Sequence, residues 1–394
     1  MKKMLYLLLA VLMLVTTLAG CADMVVDPPT AQPTTPDDPY MSRLKGLNAY
    51  DEFVFGDYVI TTSHSNSMYN RITKEGTHIC GIKNCSSAKE GCPLREIYSS
   101  SGVTHATDGF IRVSGVTENR LYFTNMSSSY YHPPYYGYID MQTHEVTRLL
   151  EIDYHEMILT RPMFLDGDWV YLARKHLVKG GFAGETSDYV SCLSRIPADG
   201  GREEVIYTMR DSSETLALIV DGYMYTYYQS KLWRTNLETW EQAVLLDLEC
   251  TSFDKIGDLL SLDGSLYFTA TRDGEKRLMQ MDPQTGGWAC MVNQPLASYA
   301  ITNEAVYFIP YEKRQINDPA DSKKAVFVSC AASIYACDHD GQNIRKVWTD
   351  KSGCMQFAST FTVVDGVYYG RVSTFNPEEN TWSGLRYEII SFEE

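Results

Sequence analysis

One cluster of cysteine and histidine residues near the start of the chain has the residue types of a metal site. Its members are His78, Cys80, Cys85 and Cys92. Thiolates and imidazole are preferred zinc ligands, so one interpretation is a closed, structural Cys₃His site. Because export permits disulfides, one disulfide with the third cysteine paired elsewhere is a second interpretation, and free thiols are a third. The sequence therefore predicts no cofactor, with a structural zinc ion in this loop as the alternative.

An aromatic segment, Tyr130-Tyr131-His132-Pro133-Pro134-Tyr135-Tyr136-Gly137-Tyr138, is the second candidate. The two prolines restrict the backbone, so the rings would be presented at a low entropic cost. A tyrosine combines an apolar ring face with a polar hydroxyl, which suits sugar rings and peptide surfaces. We therefore predict ligand contacts for Tyr130, Tyr131, Tyr135 and Tyr136. The alternative is that these rings cover a sheet edge and pack on the neighbouring repeat.

Familiar enzyme motifs do not occur in the sequence. It has no Gly-x-Ser-x-Gly elbow, His-Glu-x-x-His helix, phosphate-binding loop or dinucleotide fingerprint. Asp338-x-Asp340-Gly341 is similar to the start of a calcium loop but lacks the later ligands, so it predicts a hairpin turn. We predict no catalytic residue.

Six further cysteines are scattered through apolar segments: Cys192, Cys250, Cys290, Cys330, Cys337 and Cys354. We expect several of them to be buried as small hydrophobic residues. Two long inserts also stand out. The glycine-rich insert 175–189 predicts a mobile loop. Insert 313–327 carries Lys313, Arg314, Lys323 and Lys324, and predicts a solvated loop or, alternatively, a patch for an acidic partner.

The N-terminus has the pattern of a bacterial export signal. Lysines at positions 2 and 3 precede an apolar run of roughly 12 residues, which is too short to span a bilayer comfortably. Leu18-Ala19-Gly20-Cys21 resembles a lipobox, in which the signal is cut before a cysteine that receives the lipid. We predict a signal peptide at 1–20, lipidation of Cys21 and a Pro/Thr/Asp-rich tether at 21–43. The expected location is the outer face of the bacterial cytoplasmic membrane.

The rest of the chain repeats one sequence pattern, which consists of a short apolar run, a tight turn and an aromatic strand. The turns fall at Gly56-Asp57, Glu118-Asn119, Asp166-Gly167, Asp221-Gly222, Asp263-Gly264, Asn303-Glu304 and Asp365-Gly366. Asp-Gly between alternating apolar runs predicts a β-hairpin. A third strand, a polar turn and a fourth strand follow most copies, which is typical of propeller blades. We predict an all-β fold with a single propeller at 44–394, of seven four-stranded blades, with six or eight as alternatives.

The last unit shows no obvious fourth strand after 385–392. Propellers often close by pairing a strand from one terminus into the blade at the other. Residues 44–49 could supply that strand, and this closure is our hypothesis for the ring.

Composition agrees with an all-β extracytoplasmic protein. The chain has 394 residues, of which 44 % are hydrophobic and 12 % aromatic, including 28 tyrosines. This content favours strands and argues against a helical bundle or a disordered chain. The formal net charge is −16, which disfavours nucleic acid as a partner.

Several strand motifs carry a family resemblance. Leu121-Tyr122-Phe123-Thr124-Asn125 and Leu266-Tyr267-Phe268-Thr269-Ala270 resemble strands of low-density-lipoprotein-receptor-like propellers. Asp338-His339-Asp340-Gly341-Gln342-Asn343 is similar to the hairpin of TolB-like propellers. With the lipobox, residues from about 50 to 394 resemble clostridial-type surface lipoproteins that carry a propeller domain of unknown function. The resemblance implies a fold but no catalytic residues.

Two functions are consistent with these sequence features. The favoured one is a membrane-anchored propeller that binds a protein, peptide or glycan and is not an enzyme. The alternative is a polysaccharide hydrolase or lyase whose site lies at the central channel, where carboxylates from several blades converge.

Overall fold

The computed structural model describes residues 45–46 and, with internal gaps, residues 52–392. The longest gap is 80–110, and residues 188–318 are described without a gap. The regular structure of the described chain is β-strand, apart from one short 3₁₀ turn at Leu248–Cys250. No helix in it is long and apolar enough to cross a membrane.

The strands form successive antiparallel sheets, each built from consecutive segments of the chain. Sheet 1 contains β2 (Glu52–Phe55), β3 (Tyr58–Thr61), β4 (Ser67–Asn70) and β5 (Gly76–His78). Sheet 2 contains β6 (Ile111–Val116), β7 (Arg120–Asn125), β8 (Tyr135–Asp140) and β9 (Val146–Glu151). Sheet 3 contains β10 (Met157–Asp166), β11 (Trp169–Lys179), β12 (Asp188–Pro197) and β13 (Glu204–Thr208). Sheet 4 contains β14 (Thr215–Val220), β15 (Tyr223–Tyr228), β16 (Lys231–Asn236) and β17 (Gln242–Asp247).

Three more sheets complete the described chain. Sheet 5 contains β18 (Lys255–Leu262), β19 (Ser265–Arg272), β20 (Glu275–Met281) and β21 (Trp288–Val292), with β1 (Lys45–Gly46) added to β18. Sheet 6 contains β22 (Leu296–Ile301), β23 (Val306–Pro310), β26 (Ser333–Cys337) and β27 (Arg345–Thr349). Sheet 7 contains β28 (Met355–Phe357), β29 (Thr362–Val364), β30 (Val367–Asn376), β31 (Thr381–Trp382) and β32 (Arg386–Ser391). The hairpin β24 (Glu312–Asp318) and β25 (Asp321–Cys330) is inserted into sheet 6.

The predicted tight turns connect the first two strands of these sheets. Asp221 and Gly222 have φ values of 52° and 75°, and Asp263 and Gly264 have 49° and 76°. Two consecutive positive φ angles define the turn that matches the twist of a β-hairpin, and Asp-Gly adopts it readily. Local turn chemistry therefore sets the register of the repeats.

Neighbouring sheets pack on each other through shared apolar cores. One core joins sheets 3, 4 and 5 and includes Leu193, Met224 and Phe268. Further cores join sheets 2 and 3, sheets 5 and 6, and sheets 6 and 7. Full burial of such side chains stabilises the fold by roughly 1.5–3 kcal/mol each. The first strands also contact one another in sequence, as β6 does with β2 and β10, and β14 with β10 and β18. The architecture is an all-β propeller, as predicted, with the first strands at its axis.

The ring does not close by the predicted strand exchange. Lys45 and Gly46 pair with Ser261 and Leu260 of β18, in sheet 5, and not with sheet 7. β1 also contacts β14, so it lies on the axis side of the first strands. Sheet 7 meets sheet 1 through side chains instead, because Val59 shares an apolar core with Val364 and Tyr369. The closure hypothesis is therefore wrong for Lys45 and Gly46, and the rest of segment 44–49 lies outside the described residues. In sheet 7, β28, β29, β31 and β32 all pair with β30, so among the described residues no further strand follows β32 at the outer edge, as expected.

Antiparallel strand order gives the ring two different ends. Connections between first and second strands, and between third and fourth strands, leave at one end, which we call the turn end. Connections between second and third strands, and from one sheet to the next, leave at the opposite end of the ring, which we call the loop end. The longest connections, 79–110, 126–134, 311–332 and 377–385, all leave at the loop end.

Candidate functional site

Two of the four predicted ligand-binding tyrosines are core residues. Tyr135 and Tyr136 begin β8, where their exposed fractions are 2 % and 0 %. Tyr136 packs with Val170 and Leu172 of sheet 3, which is the alternative that the sequence left open. The loop position predicted for these two residues is wrong, because the aromatic run continues into the strand. Tyr130 and Tyr131 lie outside the described residues.

The predicted cysteine-rich cluster is described only at its first residue. His78 ends β5, where it pairs with Ser67. Cys80, Cys85 and Cys92 lie outside the described residues, as does Cys21, so the choice between zinc, disulfide and thiols stays a prediction. In the part of the chain that the structure describes, no group of three or more potential metal ligands is found.

The remaining cysteines differ in their environments. Cys192 and Cys337 are buried in sheets 3 and 6, as expected for small hydrophobic residues. Cys250 and Cys290 are exposed, whereas Cys330 is buried but disulfide-bonded. Cys354 lies outside the described residues.

We expect Cys337 to react very slowly with alkylating agents in the folded protein. Burial, assisted by the charge of Asp338, raises the pKa of its thiol from 9.0 to about 12. The thiolate is the reactive form, so alkylation by iodoacetamide at pH 8 should be about a thousandfold slower than for the same cysteine in the unfolded chain. Mass spectrometry after timed labelling, with and without denaturant, measures this ratio. Equal labelling of Cys337 in both states would contradict its burial.

Both long inserts are more ordered than predicted. In sheet 3, pairing between β11 and β12 continues to Leu177 opposite Tyr189, so the ends of insert 175–189 are strand. Insert 313–327 is the β24–β25 hairpin, in which Phe327 is exposed and Lys313 lies over the ring of Tyr311.

The most structured polar cluster lies between sheets 3 and 4, around Glu214. This residue ends the connection from β13 to β14, and its side chain is fully buried. Its carboxylate accepts hydrogen bonds from the Arg210 amide (2.7 Å), the Thr226 hydroxyl (3.0 Å) and the Tyr207 hydroxyl (3.2 and 3.3 Å). Arg210 Nη1 lies 3.8 Å from the same carboxylate. Burial, and to a smaller extent the charge of Glu214, raises the pKa of the Tyr207 hydroxyl, which therefore stays protonated and donates its hydrogen bond.

Arg210 extends from this buried cluster across the aromatic face of sheet 4. Its guanidinium lies 4.4 Å from the Trp233 ring centre and 4.9 Å from that of Tyr228. Nη2 also donates to Gln242 Oε1 at 2.7 Å. The connection is held at a second point, because Asp211 accepts the Tyr228 hydroxyl at 3.0 Å. Two aromatic contacts and two fixed polar contacts therefore orient Arg210.

Trp240 adds an exposed ring to the same place. It lies in the turn between β16 and β17 and stacks on Tyr207, with ring centres 6.0 Å apart and an interplanar angle of 5°. Trp240 remains 40 % exposed, and Val244, on the Trp233 side of β17, is 43 % exposed. We call Tyr207, Arg210, Trp233, Trp240, Gln242 and Val244 the rim site. It offers flat apolar surfaces beside oriented donors and acceptors, which suits binding.

Comparisons with known proteins identify the fold but no family. No family model matches the sequence, and no curated protein matches it. A prolyl endopeptidase structure has a TM-score of 0.51 and 8 % identity, covering 89 % of this chain and 50 % of its own. The chain thus spans half the length of that peptidase. An oligogalacturonate lyase in complex with manganese has a TM-score of 0.50 and 10 % identity, and the match covers 84 % of this chain and 83 % of the lyase chain. At such identities the likeness shows the propeller fold alone.

Proposed function

We propose that the protein is a lipid-anchored, extracytoplasmic propeller that binds a protein, peptide or glycan at the rim site without catalysing a reaction. The observation that carries this proposal is the exposed stack of Trp240 on Tyr207, anchored on the buried Glu214. Exposed aromatic residues held rigidly by buried hydrogen bonds lose little entropy on binding, which favours recognition. A signal and lipobox ending at Cys21 supply the location, at the outer face of the cytoplasmic membrane.

The position of β1 supports binding over catalysis at the axis. The alternative enzyme would assemble its site in the central channel, from residues of several sheets. Here the axis-side edge of β18 is already paired with Lys45 and Gly46. The backbone of these two residues thus takes up part of the space that a channel site would need. The negative charge of the chain also favours partners other than nucleic acid.

A pair of matched surface variants tests the proposal. The full chain in detergent is mixed with cell-envelope material separated into protein and polysaccharide fractions. Val244→Arg adds a charge within the rim site. Val205→Arg adds the same charge on β13, at a residue that is 57 % exposed and pairs with Ser194 on the opposite face from Tyr207. We expect binding to one fraction to fall at least about tenfold with Val244→Arg only.

Other outcomes would overturn the proposal. Equal binding by both variants would show that the rim site is not the binding surface. Turnover of labelled polysaccharide by the unmodified chain would favour the hydrolase or lyase alternative. The variant Cys21→Ser tests the anchor when it is expressed in bacterial cells, because the protein without its lipid should leave the membrane fraction.

A further inference from the structure

We infer that the rim site binds a neutral glycan, with a sugar ring on the exposed face of Trp240; this inference rests on the proposed binding function. Its first support is the backbone of Trp240. This residue has a φ of 62°, in the left-handed region that bulky residues rarely adopt. Such strain persists where the surroundings hold it, and it is concentrated at functional sites.

The same turn occurs in sheets 2 and 5 with other residues at this position. In sheet 2 it is His144, which has a φ of 59° and donates its amide to the Asp140 carbonyl; in sheet 5 it is a glycine. Trp240 is the fourth residue after Asn236, whose carbonyl accepts the Trp240 amide. Gly286 is the fourth residue after Asp282 and makes the same hydrogen bond, at a φ of 73°. At Gly286, an added Cβ would lie 2.7 Å from the Leu245 carbonyl oxygen of sheet 4, so that turn packs backbone to backbone on the preceding sheet. In sheet 4 the ring of Trp240 makes this contact instead, by packing on Tyr207 of sheet 3.

The tryptophan ring is held in one orientation by the residues beneath it. Tyr207 covers one ring face at an interplanar angle of 5°. The Tyr207 hydroxyl is fixed in turn by both oxygens of Glu214. A pyranose ring presents axial C–H groups on a flat face, which pack on an aromatic face, and hydroxyls at its edge. Gln242 is exposed two residues after Trp240, and its amide already bonds Arg210 and Thr235. A sugar hydroxyl would therefore donate to the second lone pair of its carbonyl oxygen.

The charge of the rim site favours a neutral sugar over an acidic one. The guanidinium of Arg210 is already balanced by Glu214 at 3.8 Å and engaged by Gln242. Glu238 and Glu241 flank Trp240 on the exposed turn, in a chain with a net charge of −16. An acidic polysaccharide or an acidic peptide would be repelled here. The ligand class is therefore a neutral oligosaccharide.

Binding of defined hexasaccharides tests this inference. The full chain is titrated with cellohexaose, laminarihexaose, xylohexaose and chitohexaose, and with hexagalacturonate as the acidic probe. We expect at least one neutral probe to bind, and Trp240→Gly to weaken it at least about tenfold. The variant places glycine where sheet 5 has Gly286, so relief of the left-handed backbone strain offsets part of the lost ring contact, and a cooperative thermal transition checks that the variant is folded. Trp240→Phe, which keeps a ring, should lose less affinity.

The failures of the two proposals are distinguishable. If no neutral probe binds, or if Trp240→Gly binds as well as the unmodified chain, the glycan inference is wrong. If Val244→Arg nevertheless abolishes binding to the protein fraction, the rim site still binds a partner and only the ligand class changes. Tighter binding of hexagalacturonate would contradict the inference that the ligand is neutral.

Discussion

Replacing Gly341 by alanine should lower the free energy of unfolding by about 3 kcal/mol. Gly341 lies in the turn between β26 and β27 with a φ of 77°. A left-handed alanine costs roughly 1–2 kcal/mol. In addition, the new Cβ would lie 2.5 Å from the Met291 carbonyl oxygen of the preceding sheet. Because that atom is backbone, sheets 5 and 6 would have to separate, at a cost of roughly 1–3 kcal/mol.

A matched glycine isolates the contact between the sheets. Gly264 has nearly the same φ, 76°, but nothing lies within 4 Å of its added Cβ. Gly264→Ala should therefore show only the left-handed cost of roughly 1–2 kcal/mol. Denaturant unfolding of both variants measures the difference. Equal losses would mean that the turn of sheet 6 does not pack tightly on sheet 5.

Removing the Glu214 carboxylate should also cost about 3 kcal/mol. Glu214→Ala leaves the buried hydroxyl of Thr226 and the amide of Arg210 without their acceptor. Each unsatisfied buried group costs roughly 1–3 kcal/mol, and the loss of a buried charge partner adds to this. The Tyr207 hydroxyl would also lose its acceptor, so we expect weaker ligand binding at the rim site.

Two variants control for this prediction. Glu214→Gln keeps the shape and one acceptor oxygen, so its loss should be smaller. Asp211→Ala removes an exposed carboxylate that bonds Tyr228 in the same connection, and its loss should be smaller than that of Glu214→Ala because water can solvate the exposed partners. Denaturation midpoints of the three variants give the ranking. A midpoint for Glu214→Ala equal to that of Asp211→Ala would show that the buried cluster does not stabilise the junction of sheets 3 and 4.

The sequence predicts those parts of the fold that local chemistry determines. Asp-Gly turns and alternating strands are set by residues a few positions apart, so the repeats and the missing last strand of sheet 7 were predictable. The partner of β1 was not, because Lys45 pairs with Ser261, more than 200 positions away, and the pair has no sequence pattern. Tyr135 and Tyr136 were misplaced because an aromatic run looks the same in a loop and in a strand.

The rim site shows the same limit. Glu214, Arg210 and Trp240 come from two separate connections and meet only when sheets 3 and 4 pack. One signal was present in the repeats. The phrase Asn236-Leu237-Glu238-Thr239-Trp240 aligns with Asp282-Pro283-Gln284-Thr285-Gly286, so a tryptophan stands where the next unit has glycine. A tryptophan in a polar turn is a marker that could have identified the site.

The pairing of β1 also determines where a tether would leave the ring. Because Lys45 pairs with Ser261 and Gly46 with Leu260, the N-terminal end of β1 points toward the Asp263–Gly264 turn, at the turn end and close to the axis. If the tether is attached close to the axis, the ring can rotate about that axis without a change in the length of the tether. With the anchor that we propose at Cys21, rotation of the propeller would bring the rim site to face every direction around the anchor.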